Sequence, residues 1–261
     1  MVLLHYLTSP EIDALDRSGV VVLFPIASCE QHSLHLPVFV DSMICEAVAH
    51  RTSERIPNDV LVLPTQFLGY SQHHIKFPGT LSAVSETHLR LMEDTVASMA
   101  DNGFMKFLIL NAHGGNSQGM SVLLQRLMER YGDTGKEFYS RFAWAPAEQL
   151  DTVRKKGSAG SGHAGETETS MILALKPEAV KMNLADSDGE RDGMKVEGAA
   201  AYHRFDQRTR HGGVGDPTVA SAEAGERMLD MSADDVAKTV RICTATWTQA
   251  DALAICFDPL L

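Results

Sequence analysis

Short runs of apolar, β-branched residues alternate along the chain with longer stretches whose apolar positions recur at helical spacing. The run VVVLFPI at 20–26 predicts a buried strand, and the periodic stretch at 42–56 that follows predicts a helix, so together they make a βα unit. VLVLP at 60–64 predicts a second strand. Leu89, Met92, Val96 and Met99 then repeat every three or four residues until Gly103 ends the helix. FMKFLILN at 104–111 predicts a third strand, leading through a glycine turn into a helix over about 116–131, and EFYSRFAW at 137–144 predicts a fourth. Strands alternating with helices of this length predict an α/β fold, a mainly parallel sheet covered by helices on both faces. Residues 182–217 lack periodicity and are rich in Gly, Asp and Arg, which predicts a long excursion or lid. Ser232 and Asp235 read as a capping box that opens a last helix running toward Ala250.

Length and composition narrow the class. At 261 residues the chain fits one large domain over 1–261. No apolar stretch approaches the roughly 20 residues that span a bilayer, so no membrane is expected as a partner. The opening MVLLHYLTSPEID lacks the basic region, apolar run and small-residue cleavage site of a signal peptide, which predicts a cytoplasmic location. Cys29, Cys45, Cys243 and Cys256 show no CxxC pairing and read as reduced thiols in or near the core. The net charge of -11 argues against nucleic acid as a partner. Part of that acidity is tolerable at a single site if divalent cations neutralise it.

In a parallel sheet, ligands gather at the carboxyl ends of the strands, and the polar clusters fall there. The first strand runs into PIASCEQHSLHLPVFVD, which supplies Glu30, His32, His35 and Asp41. Glu30 and His32 are two residues apart, so extended backbone projects both to one side. Carboxylate with imidazole suits Zn, Mn or Fe(II) better than Ca or Mg. Taken singly, Asp41 also reads as a helix N-cap, and Glu30 and His32 as exposed loop residues. Together they are costly after a buried strand unless paired or metallated, which favours a ligand set. NAHGGN at 111–116 places His113 before two glycines that permit close backbone approach. A plain βα turn would use Asn116 as its cap but has no need of the histidine. In GSAGSGHAGETETS at 157–170, His163 lies in a flexible glycine loop and suits a general acid or proton shuttle. Glu166 and Glu168 read either as first-turn acids facing the helix dipole or as further ligands. No GxSxG elbow, P-loop or GxGxxG is present, and Cys29 lacks the electropositive setting of a nucleophilic thiolate.

EQHSLHLP followed by Asp41, then GYSQHHIKFPGTLS at 69–82, NAHGGN and HAGETETS, in this order, resemble the creatininase (creatinine amidohydrolase) family over about 19–177. The resemblance implies a creatininase-like α/β sandwich, a site for two divalent metal ions (Zn, Mn or Fe), and a homo-oligomer, commonly a hexamer built as a trimer of dimers. By position, Glu30 and His113 match ligands of one metal, His32 matches a ligand of the other, Asp41 matches the bridging carboxylate, and His163 matches the catalytic histidine. Two departures stand out. The glutamate ligand found in creatininase two residues after the motif histidine is Gly115 here, so another carboxylate is required, for which Glu168 is preferred over Glu166. Trp144 matches an aromatic residue of the creatininase pocket, but the tryptophan expected four residues before the catalytic histidine is Ala159, leaving small residues and backbone donors as lining and making creatinine an expected poor substrate.

The function expected is hydrolysis of a non-peptide C–N bond, a cyclic amide or formamide, in a small polar molecule. A metal-bridging hydroxide would attack the carbonyl, and His163 would deliver a proton to the departing nitrogen. The same family includes formamide deformylases, peptide-maturing enzymes and ring-opening hydrolases. The alternatives are therefore C–C cleavage of an oxidised inositol-type ketone, or metal binding without turnover. His73, His74 and Lys76 stand as substrate contacts, with a solvated loop expected for at least two of them.

Overall fold

Successive residues of a strand face opposite sides of a sheet, and in the first strand both sides are apolar. The structure is a computed structural model, and it describes residues 2–189 and 201–245. Four strands, β1 (Val21–Ile26), β2 (Val60–Val62), β3 (Lys106–Asn111) and β4 (Glu137–Phe142), form one all-parallel sheet in the order β2-β1-β3-β4. Val21 sits opposite both Val60 and Lys106, and Lys106 opposite Glu137. Among the described residues the helices are α1 (Ser9–Asp13), α2 (Val40–Arg55), α3 (Ser85–Asp101), α4 (Ser117–Tyr131), α5 (Ala147–Leu150), α6 (Glu166–Leu175), α7 (Phe205–Arg208) and α8 (Ala222–Thr244). Val21, Leu23, Leu108 and Leu110 pack with α2, α6 and α8 on one face; Val22, Phe24, Ile26, Phe107 and Ile109 pack with α3 and α4 on the other. The α/β sandwich expected from the alternation is therefore the fold found.

Predicted boundaries shift for local reasons. β2 stops at Val62 rather than running to 64, because Pro64 has no N–H to extend the ladder. α3 ends at Asp101, and Gly103 turns the chain with φ +95°, a conformation that favours glycine.

The proposed capping box at Ser232 and Asp235 is corrected. Both lie inside α8, whose cap is Ser221, its hydroxyl accepting from the Ala224 amide at 3.3 Å. Ser232 instead accepts from the Ala145 amide, and Asp235 pairs with Arg141 at 2.6 Å, so the two tie α8 to the sheet. The predicted continuation to Ala250 lies outside the described residues, as does Cys256. Cys29, Cys45 and Cys243 are buried free thiols. Among the described residues no helix is long and apolar enough to cross a membrane.

Parallel strands put all their carboxyl ends on one edge of the sheet. Glu30 and His32 follow β1, His113 follows β3, and Phe142 ends β4 beside Trp144. The described part of the 182–217 excursion folds back over this edge, pinned where Asp188 and Gly215 exchange backbone hydrogen bonds.

Candidate metal centre

Asp41 is fixed first. It lies in the first turn of α2 without capping it, and Ser28 donates its hydroxyl to Oδ2 at 2.6 Å. His113 Nδ1 stands 2.9 Å from Oδ2 and His32 Nε2 stands 3.2 Å from Oδ1, so one buried carboxylate faces two imidazoles through separate oxygens. Glu30 Oε1 is 3.4 Å from His113 Nδ1 and 3.4 Å from His163 Nδ1. Glu168 Oε2 is 3.7 Å from His32 Nε2 and accepts from the Ala164 amide at 2.6 Å.

The far ring nitrogens decide what the near ones offer. A main-chain carbonyl can only accept, so His32 Nδ1 donates to the Glu30 carbonyl (2.9 Å), His113 Nε2 to that of Tyr70 (3.0 Å) and His163 Nε2 to that of Gln31 (2.7 Å). In its neutral form each ring therefore turns a lone pair toward the carboxylates. Lone pairs facing carboxylate oxygens at these distances repel unless a proton or a cation lies between them. Backbone carbonyls orienting the distal N–H is also the arrangement that metal-ligating histidines use. Among the described residues four groups bring their donor atoms within 4.8 Å of one another. Two of them, Glu30 with Asp41 and His113 and His32 with Asp41 and Glu168, share Asp41; the others are Glu30 with His32 and His163 and Glu30 with His73 and His74. Imidazole and carboxylate donors in two groups sharing Asp41 fit a pair of divalent ions.

The electrostatics describe the same strain. Burial pushes the Glu30 and Glu168 carboxyls up to about 7. Burial alone would lower the imidazoles, but Asp41 together with Glu168 and Glu30 outweighs it at His32, lifting it to about 10, and Glu30, Asp41 and the Tyr70 carbonyl do so at His113, lifting it to about 9. Asp41 lies well below the usual carboxylate range because His32 and His113 outweigh its own burial. Burial and the neighbouring His32 hold the His163 imidazole well below its ordinary value.

Sequence reading and structure part company at several positions. His163 is pinned in the glycine loop, not free in it: Gln31 holds its ring, and its carbonyl accepts from Val214 at 2.8 Å. Gly162 has φ +129°, and a Cβ there would meet the Val214 carbonyl at 2.6 Å. Glu166 is turned away, its two oxygens taking the Lys155 and Lys156 amides, so Glu168 is the carboxylate brought to His32. His35 is buried against Thr169 (2.8 Å) outside the cluster. Asn116 does not cap α4; its amide donates to the Ala27 carbonyl at 3.1 Å and its oxygen accepts from the Tyr70 amide at 3.0 Å. The solvated loop expected for most of His73, His74 and Lys76 is also corrected. His73 and His74 are buried beneath Phe205, whose ring centroid is 4.1 Å from that of His74, and only Lys76 is exposed. Cys29 is buried and its thiol is pushed up by that burial, the opposite of the shift that activates a nucleophilic thiolate.

A cavity of about 370 Å³ opens onto Glu30, Asp41, His113, His163 and Glu168. Its walls include Phe142, Trp144, Tyr202, Phe205 and Arg208. Ala159 is exposed and no part of this lining, so the expected wall of small residues is replaced by rings from β4 and from the excursion. Tyr202 and Phe205 stand in no motif of the sequence, and Gln31, though inside EQHSLHLP, carried no sign that its carbonyl would hold His163.

The creatininase (creatinine amidohydrolase) family model matches residues 5–240. The chain belongs to the creatininase family. Its relatives in that family include the mycofactocin precursor peptide peptidase of Mycolicibacterium smegmatis, 30% identical over 80% of this chain and 79% of that one. The creatinine amidohydrolase of Pseudomonas putida is 27% identical over 90% of this chain and 94% of its own. A crystal structure of creatinine amidohydrolase matches with a TM-score of 0.81 and 26% identity, covering 94% of this chain and 99% of that one. A manganese form of creatininase matches at 0.79 and 25%, covering 92% and 98%. The chain is thus a creatininase-family hydrolase whose buried His, Glu and Asp clusters are consistent with a binuclear metal site.

Proposed function

We propose that this chain is a binuclear metal-dependent amidohydrolase acting on a C–N bond in a small polar molecule, a cyclic amide or formamide. The observation that carries the reading is the set of histidines that spend one N–H on a backbone carbonyl and turn the other nitrogen to shared carboxylates. Glu30, Asp41 and His113 would hold one ion, and His32, Asp41 and Glu168 the other. When bound, such ions supply Lewis acidity to a carbonyl and bring the pKa of a water toward neutrality.

The chain's own groups do the rest. With Nε2 committed to the Gln31 carbonyl, His163 is left to move a proton at Nδ1, which faces the cavity beside Glu30. Burial keeps that ring neutral and able to accept. Phe142, Trp144 and Tyr202 give a planar substrate aromatic faces, and the excursion limits water access. A second reading, hydrolysis of a peptide bond, is favoured by the 30% identity to a peptide peptidase.

The proposal takes the chain as a single catalytic domain and, by family, a homohexamer working in the cytoplasm. The test is a panel of creatinine, an N-formyl aminopyrimidine, a short peptide and an oxidised inositol, offered to Zn- and Mn-loaded protein. Turnover of creatinine or the N-formyl aminopyrimidine supports the reading; turnover of the peptide alone would replace it with the second reading, and turnover of the inositol alone with C–C cleavage.

A further inference from the structure

The two donor groups that share Asp41 leave part of the site unexplained. Glu30 Oε1 faces His113 and His163, but Oε2 is buried without a hydrogen-bond partner among the described residues. Both ring nitrogens of His74, a fully buried residue, are equally unpartnered there. Buried polar groups left unmet are costly, so they call for a partner. They converge: His73 Nε2 lies 3.7 Å from Glu30 Oε2, and His74 Nε2 lies 4.0 Å from Oε1.

We infer that Glu30, His73 and His74 form a third divalent-cation position beside the pair. Their donor atoms all lie within 4.8 Å of one another, and Glu30 Oε2 and both His74 ring nitrogens have no hydrogen-bond partner among the described residues. Bonds of about 2.0 Å to two imidazoles and a carboxylate place donors about 3.3 Å apart in a tetrahedral shell, so an ion would draw His73 and His74 inward from 3.7 and 4.0 Å. His73 is already oriented for ligation, because its distal Nδ1 meets the Tyr202 hydroxyl at 3.1 Å. Gly115 makes room for it. A Cβ there would collide with the Tyr70 carbonyl and His113 Nε2 and meet His73 Cε1 at 2.6 Å, so glycine leaves room for both rings, which lie nearly parallel with centroids 5.4 Å apart. His73 and Glu30 both line the cavity, which gives an ion access and fits a role in holding an anionic or carbonyl oxygen of the substrate.

The inference rests on the reading of Glu30 as a ligand of the pair, and the two can fail separately. Full-length protein stripped with chelator is dialysed to equilibrium against Mn(II) or Co(II), and bound metal is counted. Wild type should saturate near three ions per chain and His73→Ala near two, while Tyr202→Phe should keep three with the last bound about 10- to 100-fold more weakly. Circular dichroism matching wild type verifies that the variants are folded. Saturation of wild type at two, or three ions retained by His73→Ala, overturns the third position alone. A wild type that binds no ion overturns the pair as well.

Discussion

Asp41 presents Oδ2 to His113 at 2.9 Å and Oδ1 to His32 at 3.2 Å, joining the turn after β3 to the turn after β1 through one carboxylate. If Asp41 bridges two ions, its loss should release more metal than the loss of a ligand to one. Asp41→Ala is expected to bind fewer ions than His32→Ala, measured by metal analysis of both variants prepared side by side. Unchanged metal content in Asp41→Ala would leave that residue as nothing more than a first-turn acid of α2.

Glu166 and Glu168 separate cleanly by partner. Glu168→Gln should weaken one ion of the pair, because it removes charge beside His32. Glu166→Gln should keep both ions and instead destabilise the fold by about 1–3 kcal/mol, since two backbone amides lose a charged acceptor. Metal affinity and denaturant unfolding of each variant check the split, and a reversal of the two effects would exchange their roles.

His163 should act on the proton and not on metal retention. His163→Ala is expected to hold its pair of ions while kcat falls by about 10² to 10⁴ on whichever amide the panel identifies. Loss of an ion in this variant would make Nδ1, which already faces Glu30 Oε1, a ligand.

Asp188 gives a pH prediction away from the metals. Burial alone would raise its carboxyl, but the amides of His211, Gly189 and Arg210, at 2.7, 2.8 and 3.1 Å, outweigh it and hold the group below the ordinary range. A depressed folded-state pKa stabilises above the unfolded value near 3.9 and loses that contribution as pH falls through the folded value. Asp188→Asn should therefore cost about 1–3 kcal/mol at pH 7, and the gap to wild type should narrow below about pH 4. Urea unfolding of both proteins at the two pH values measures it, and a gap independent of pH would show that charge plays no part.

How much of this was legible in the sequence depends on how local each signal is. The strands and the residues at their ends were, because burial pattern and strand register are local: Glu30, His32 and His113 follow β1 and β3 as the apolar runs require. Their distances were not. His73 and His74 read as solvated because their own segment is polar, and what buries them, Phe205, arrives from 130 residues away in an excursion with no periodicity. Ser232 and Asp235 have capping-box spacing, yet the backbone runs helically through both, and their side chains serve contacts to Ala145 and Arg141 that no local pattern encodes. Ala159 misled in the same way, since the rings that wall the cavity come from β4 and the excursion rather than from the loop before His163.

The central claim is that hydrolysis depends on metal held by the clusters sharing Asp41. It is tested most directly by assaying the substrate panel with protein stripped exhaustively by chelator and then with the same protein reloaded with Zn or Mn. The account predicts loss of turnover on stripping and recovery on reloading, with no recovery in Asp41→Ala. Full turnover by rigorously metal-free protein would contradict it.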